Sequence, residues 1–91
     1  MMISGKRMGR PTPGLSIGDV SEITNVEVHT LRYWEKEFDS FLHPIRTQGG
    51  QRRYRTQDIE TVFEIKKLLR DEMFSIAGAK RYLARKTKIA A

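Results

Sequence analysis

The sequence predicts a small, mainly α-helical domain that carries one two-stranded hairpin. Three observations predict it. Apolar residues recur at helical spacing in four separate stretches, each opening near a residue suited to a helix N-terminus. Between the second and third, from Pro44 to Tyr54, that spacing is lost and a Gly49-Gly50 pair divides two short polar runs. At 91 residues and 38% hydrophobic content, the chain suits a single domain with a modest core.

Met1–Leu15 holds Gly5, Gly9, Pro11, Pro13 and Gly14 with little apolar periodicity, and reads as a disordered basic arm through Lys6, Arg7 and Arg10. Such an arm is a plain flexible terminus or a set of sequence-blind phosphate contacts. The folded domain is expected over 16–88. Ser16, with Asp19 three residues on, forms a capping-box pattern, and Ile17, Val20 and Ile23 give an apolar stripe. The first helix is therefore expected over Ile17 to Thr24. Asn25 tolerates the left-handed conformation that ends a helix, and Val26 is expected to pack inward.

The second helix spans the stretch His29 to Phe38 and ends between Phe38 and Ser40. At about 100° per residue, Leu31, Trp34 and Phe38 gather on one side and His29, Arg32, Tyr33 and Lys36 on the other. Glu27 stands just before it, where a negative charge favours the positive end of the helix dipole. Two short helices joined by a tight turn, the second with a polar face, make a helix-turn-helix pattern, which also occurs as plain structure.

Phe41 and Leu42 continue the core, and Pro44 starts an extended segment. Ile45-Arg46-Thr47 and Gln51-Arg52-Arg53-Tyr54 flank the glycine turn. Four arginines, Arg46, Arg52, Arg53 and Arg55, fall within residues 46–55. Strand alternation puts Arg52 and Tyr54 on one face and Gln51 and Arg53 on the other. An arginine-rich hairpin beside a polar helix suits gripping phosphates; the same arginines would also keep an edge strand from pairing. Thr56 is expected to cap a third helix running to Glu72, with Asp58 in its first turn and Ile59, Val62, Phe63, Ile65, Leu68, Leu69 and Met73 inward. Ser75 is expected to cap a fourth, Ile76 to Lys86, with Ile76, Ala79, Tyr82 and Leu83 inward. Its Lys80, Arg81, Arg85 and Lys86 would reach phosphates or suit the helix's negative end.

The net charge is +6, and it is blocked. The arm carries +3, residues 46–55 carry +4 and the C-terminal residues 74–91 carry +5, whereas residues 16–45 carry −4. A basic balance favours nucleic acid or an acidic partner. The acidic helix-turn-helix segment must then act through a few placed residues instead of a general positive field. There is no cysteine, which removes thiolate metal sites and cysteine nucleophiles and fits a reducing cytoplasm. His29 and His43 lack catalytic or metal-ligand spacing, so neither an enzyme nor a cofactor is expected. No apolar run is long enough to span a membrane, and the expectation is a cytoplasmic protein.

The ordered combination Thr30-Leu31-Arg32-Tyr33-Trp34-Glu35, Pro44, Arg46-Thr47, Gly49-Gly50, Arg52-x-Tyr54, Asp58-Ile59 and Ser75-Ile76-Ala77-Gly78 closely resembles the DNA-binding domain of MerR-family transcription regulators. The resemblance covers about residues 15–85. It implies a winged helix-turn-helix of four short helices and a two-stranded wing hairpin, binding double-stranded DNA with the second helix in the major groove and the wing along the flanking backbone. Carried onto this sequence, Thr30, Arg32 and Tyr33 become recognition-helix contacts, Arg52 and Tyr54 the wing's signature pair, and Arg46 their neighbour across the hairpin. With the residues read from the pattern itself, the expected DNA-binding set is His29, Thr30, Arg32, Tyr33, Lys36, Arg46, Arg52, Arg53, Tyr54 and Arg55.

This sequence departs from the family pattern at Asn25, where glycine is usual, at Glu27, where a serine cap is common, and at Gln51 and Arg53, which make the wing more polar and basic. The family's long dimerisation helix and effector-binding region do not occur within the 91 residues. A monomer is expected in isolation, and a dimer if a further helix is appended. Two other functions fit the same pattern: an excisionase-like factor that bends DNA, and a module bound by an acidic protein that mimics DNA.

Overall fold

A computed structural model describes residues 14–90, with side chains placed through Lys86. Among these residues there are α1 (Ile17–Thr24), α2 (Val28–Glu37), β1 (Ile45–Arg46), β2 (Arg52–Arg53), α3 (Thr56–Lys66) and α4 (Ile76–Ala90). A wide turn of π-helix, Lys67–Asp71, extends α3. The basic residues of the arm before Gly14 lie outside the described residues.

The first helix begins as its sequence requires. The Asp19 amide donates to Ser16 Oγ at 3.1 Å, and the Ser16 amide donates to the Asp19 carboxylate at 3.3 Å. Asn25 ends the helix in the left-handed conformation, with φ 60°. The buried stripe is shifted from the expected one. Val20 and Thr24 are inside, while Ile23 is 51% exposed. Thr24 can be buried because its hydroxyl donates to the Val20 carbonyl at 2.7 Å, leaving no polar group unsatisfied. Its own carbonyl accepts from Lys66 Nζ at 2.9 Å, which ties the end of α1 to α3.

Leu31 and Trp34 of α2 and Phe38 at its C-cap all enter the core, as their spacing predicts. They meet Val20, Val26, Leu42, Tyr54, Val62, Ile65, Leu68, Ala79 and Leu83 in one cluster. Each large side chain of this kind contributes about 1.5–3 kcal/mol on burial. The Arg70 guanidinium lies over the Trp34 ring, 5.9 Å from its centroid, so the π turn also bears on the back of α2.

Three expectations for the second half need correction. Arg55, not Thr56, occupies the N-cap of α3, and Asp58 reaches back to accept from the Arg55 amide at 2.9 Å. The α-helix gives way at Lys67 instead of continuing to Glu72. Phe63, Met73 and Tyr82 are exposed rather than inward. The wide turn accounts for Met73: it adds an extra residue per turn, which rotates the residues beyond it out of the stripe. The segment closes with the Phe74 amide donating to the Leu68 carbonyl at 2.8 Å and with Met73 left-handed at φ 57°. The bond spans seven residues, one more than the common helix stop, and the left-handed position just before its donor is one that glycine usually fills. Helix α4 starts as expected, with the Gly78 amide on Ser75 Oγ at 3.0 Å, and runs beyond the expected end at Lys86.

Met73 is 80% exposed, so its side chain offers little packing to lose. Met73→Gly should therefore raise stability by about 0.5–1 kcal/mol, the left-handed penalty relieved less the extra chain entropy of glycine. A urea titration should show a higher midpoint at an unchanged slope; a lower midpoint would mean that Met73 contributes packing after all.

Candidate nucleic-acid interface

The hairpin is minimal. Ile45 pairs with Arg53 and Arg46 with Arg52, antiparallel, around the Thr47–Gly50 turn. The Gly50 amide donates to the Thr47 carbonyl at 2.8 Å and the Thr47 amide to the Gln51 carbonyl at 2.8 Å. Gly50, at φ 84°, is the turn glycine that uses positive φ. Two pairs of residues cannot hold a hairpin in place unaided. The foot of the hairpin supplies the missing support. Leu15 exchanges backbone hydrogen bonds with Tyr54, at 2.8 and 2.7 Å, as a further antiparallel bridge. Gly14 and Leu15 thus belong to the folded body, not to the arm. A Cβ on Gly14 would stand 2.2 Å from the Tyr54 carbonyl oxygen, so glycine is required at this close approach.

Alternation along β2 predicts that Arg52 and Tyr54 share a face, and both side chains do reach the same group, Glu35 of α2. Arg52 Nε donates to both Glu35 carboxylate oxygens at 2.8 Å. The Tyr54 hydroxyl donates to Glu35 Oε2. Arg46 Nη2 lies 3.8 Å from Glu35 Oε1. Burial, and then the bond to Glu35, push the Tyr54 phenol well above its ordinary pKa, so it remains a donor. Glu35 is the residue that sequence reasoning missed as part of the site. On a helix wheel it lies between the apolar and polar faces, where a glutamate normally reads as solvated.

This arrangement forms an open groove between α2 and the hairpin, lined by Arg32, Glu35, Lys36, Arg46 and Arg52. Arg32 and Lys36 stand one turn apart on the helix. Arg46 and Arg52 stand opposite each other in strand register. Four cations from two separate elements thus meet one carboxylate in one surface feature.

The other expected contacts fall elsewhere. His29 and Tyr33 are exposed on α2 and Thr30 is half-buried. His29 Nε2 lies 3.3 Å from the Glu27 carboxylate, both exposed. Arg53 turns to the hairpin's other face, donating to the Arg52 carbonyl at 3.2 Å and to Gln51 at 3.4 Å. The Arg55 guanidinium is held by the buried carboxylate of Asp58, with Nε at 3.0 Å, and this hydrogen bond raises its pKa. Tyr54 has no accessible surface and therefore cannot touch a partner of the folded chain; its expected contact role is corrected to a supporting one.

The matched sequence features now lie on a helix-turn-helix with an adjoining wing. A family model described as MerR HTH family regulatory protein matches residues 15–86. The chain belongs to the MerR family. It is 34% identical over 77 residues to the HTH-type transcriptional regulator GlnR of Bacillus anthracis, covering 85% of this chain and 57% of that protein. It is 30% identical over 79 residues to the putative heat shock protein HspR of Streptomyces coelicolor, covering 87% and 51%. With the HTH-type transcriptional regulator TnrA of Bacillus subtilis it shares 37% identity over 51 residues, 56% of this chain and 44% of that one. The chain thus spans about half the length of the curated relatives it matches. As a MerR domain it carries a DNA-binding helix-turn-helix of transcription regulators, not an enzyme's active site. No helix among the described residues is long and apolar enough to cross a membrane.

The departure at Glu27 has a structural counterpart. Glu27 holds the N-cap position of α2 but makes no side-chain cap bond. Glu27→Ser should add about 1 kcal/mol by satisfying one of the free first-turn amides. Thermal melts of the two chains check this, and an unchanged or lower midpoint would show that the Glu27–His29 pair matters more than the cap.

Proposed function

We propose that this MerR domain reads double-stranded DNA by laying α2 in the major groove and closing the Arg46–Arg52 hairpin on the flanking backbone. The observation that carries this reading is the groove shared by Arg32, Lys36, Arg46 and Arg52. Phosphates meet cations from both sides there. His29, Thr30 and Tyr33 stand on the same helix, available to base edges. The kinship with transcription regulators favours control of transcription over DNA bending for recombination.

The test is selection of duplexes from a random-sequence pool by the 91-residue chain, followed by affinity measurements on the recovered sequence and a scrambled one. The chain should enrich one motif. Arg46→Ala should weaken both duplexes and reduce the magnitude of the salt slope by about one unit, as the loss of one phosphate contact does. Tyr33→Ala should change the recovered motif. A chain that enriches no motif and binds no duplex, yet captures an acidic protein, would overturn the proposal.

A further inference from the structure

Glu35 poses a physical problem. A carboxylate on a surface offered to phosphates opposes binding. Here it sits in the middle of the basic groove, with its side chain only 11% exposed. Both of its oxygens are engaged, by Arg52 Nε bridging the carboxylate and by the Tyr54 hydroxyl. Its charge is matched within the protein, so it is not a surface feature left over from solvation.

The three groups come from different places. Glu35 belongs to the recognition helix, Arg52 opens the second hairpin strand and Tyr54 follows directly after that strand, at the hairpin's foot. Tyr54 is also the residue that pins the hairpin's foot to Leu15 and to the core. A hairpin with two residues in each strand has little rigidity of its own. Its position relative to α2 is therefore set by what it is bolted to. Buried, hydrogen-bonded ion pairs of this kind contribute little net stability, and their best-attested use is to fix one arrangement among several.

We infer that Glu35 is a positioning residue for DNA reading. Through Arg52 and Tyr54 it holds the hairpin at a set reach from α2, and it thereby governs sequence selectivity more than affinity. The inference rests on the DNA reading proposed for the groove. Two grips held at a fixed separation engage a duplex only in one register, so a base mismatch under α2 also costs the backbone contacts. Grips that move independently lose that coupling and bind every duplex alike.

The test uses the 91-residue chain and two variants. Glu35→Gln keeps the shape of the side chain and removes its charge; Tyr54→Phe keeps the ring and all charges and removes the hydroxyl. Three quantities are read: the affinity ratio between selected and scrambled duplexes, the salt slope on the scrambled duplex, and amide exchange at Thr47 and Gln51 in free protein. Glu35→Gln should reduce the ratio at least fivefold, steepen the slope by about one unit as Arg52 is released to phosphates, and speed exchange in the hairpin. Tyr54→Phe should lower the ratio and speed exchange without changing the slope. A simply structural role would weaken both duplexes equally and leave the ratio alone. Wild-type preference for the selected duplex that survives both variants overturns the role of Glu35 only. Absence of any wild-type preference overturns the DNA reading itself.

Discussion

Tyr54→Ala should cost about 3–5 kcal/mol of folding stability, the usual range for truncating a large buried ring. A protein's whole margin is roughly 5–15 kcal/mol, and a domain this small sits at the low end. Much of the population should then be unfolded at moderate temperature. The cause is specific. The ring has no accessible surface and packs in the central cluster. Its hydroxyl supplies Glu35, and the seated ring anchors the backbone that bonds Leu15, which alanine would keep but no longer anchor. Urea titration followed by fluorescence of Trp34, the single tryptophan, measures the loss. Tyr54→Phe should lose only about 1–2 kcal/mol, because the cavity is avoided and one hydrogen bond is given up. A loss below about 1 kcal/mol in Tyr54→Ala would contradict the placement of the ring.

The same residue gives the domain an alkaline limit. Burial and the bond to Glu35 raise the folded phenol's pKa above its ordinary value of 10.0. Below that value both folded and unfolded chains keep the proton, and the stabilisation is complete. Above it the unfolded chain releases the proton and the folded chain does not. Stability should then fall with rising pH, by about 1.4 kcal/mol per unit for this group. The difference between wild type and Tyr54→Phe isolates this contribution from that of every other group.

Binding to duplex DNA should be steeply salt-dependent. Arg32 and Lys36 line the groove without an ion pair to Glu35, and Arg46 reaches it only at 3.8 Å from a half-exposed side chain, whereas Arg52 is largely committed to it. Three to four phosphate contacts imply a loss of roughly 40- to 150-fold in affinity between 50 and 200 mM salt. The double variant Arg32→Ala, Lys36→Ala should flatten the salt dependence by about two units of slope. Fluorescence anisotropy over a salt series measures both. A wild-type slope near zero would show that the groove does not meet phosphates.

Much of this architecture is legible in the sequence because it rests on local rules. The Ser16–Asp19 box, the left-handed Asn25, the Leu31–Trp34–Phe38 stripe and the Gly49–Gly50 turn each depend on residues within one or two helical turns. The residues that depart from expectation depend on partners far away in the chain. Thr24 displaces Ile23 from the interior because its hydroxyl is satisfied locally and Lys66 reaches its carbonyl from 42 residues on. Phe63 fits the helical stripe yet lies exposed, which spacing alone does not reveal. An unbroken α-helix would put Met73 inward, and no residue type announces a π turn. At the site, the helix face and the arginine hairpin are readable separately. Their junction at Glu35 is not, since Arg52 and Tyr54 stand 17 and 19 residues away. The placement of both wing residues on one strand face is the available clue: they had to meet a common partner.

The Leu15–Tyr54 bridge bears on how this domain is trimmed for study. Composition suggests cutting before Ser16, where the capping pattern begins, but that cut would discard the bridge residue Leu15 and expose the backbone of Tyr54 to water. A minimal version should retain Gly14, and any tag should join upstream of it through a spacer. Placing a tag's last side chain at position 14 would force a collision at the hairpin's base and report a weakened domain where the native sequence has a sound one.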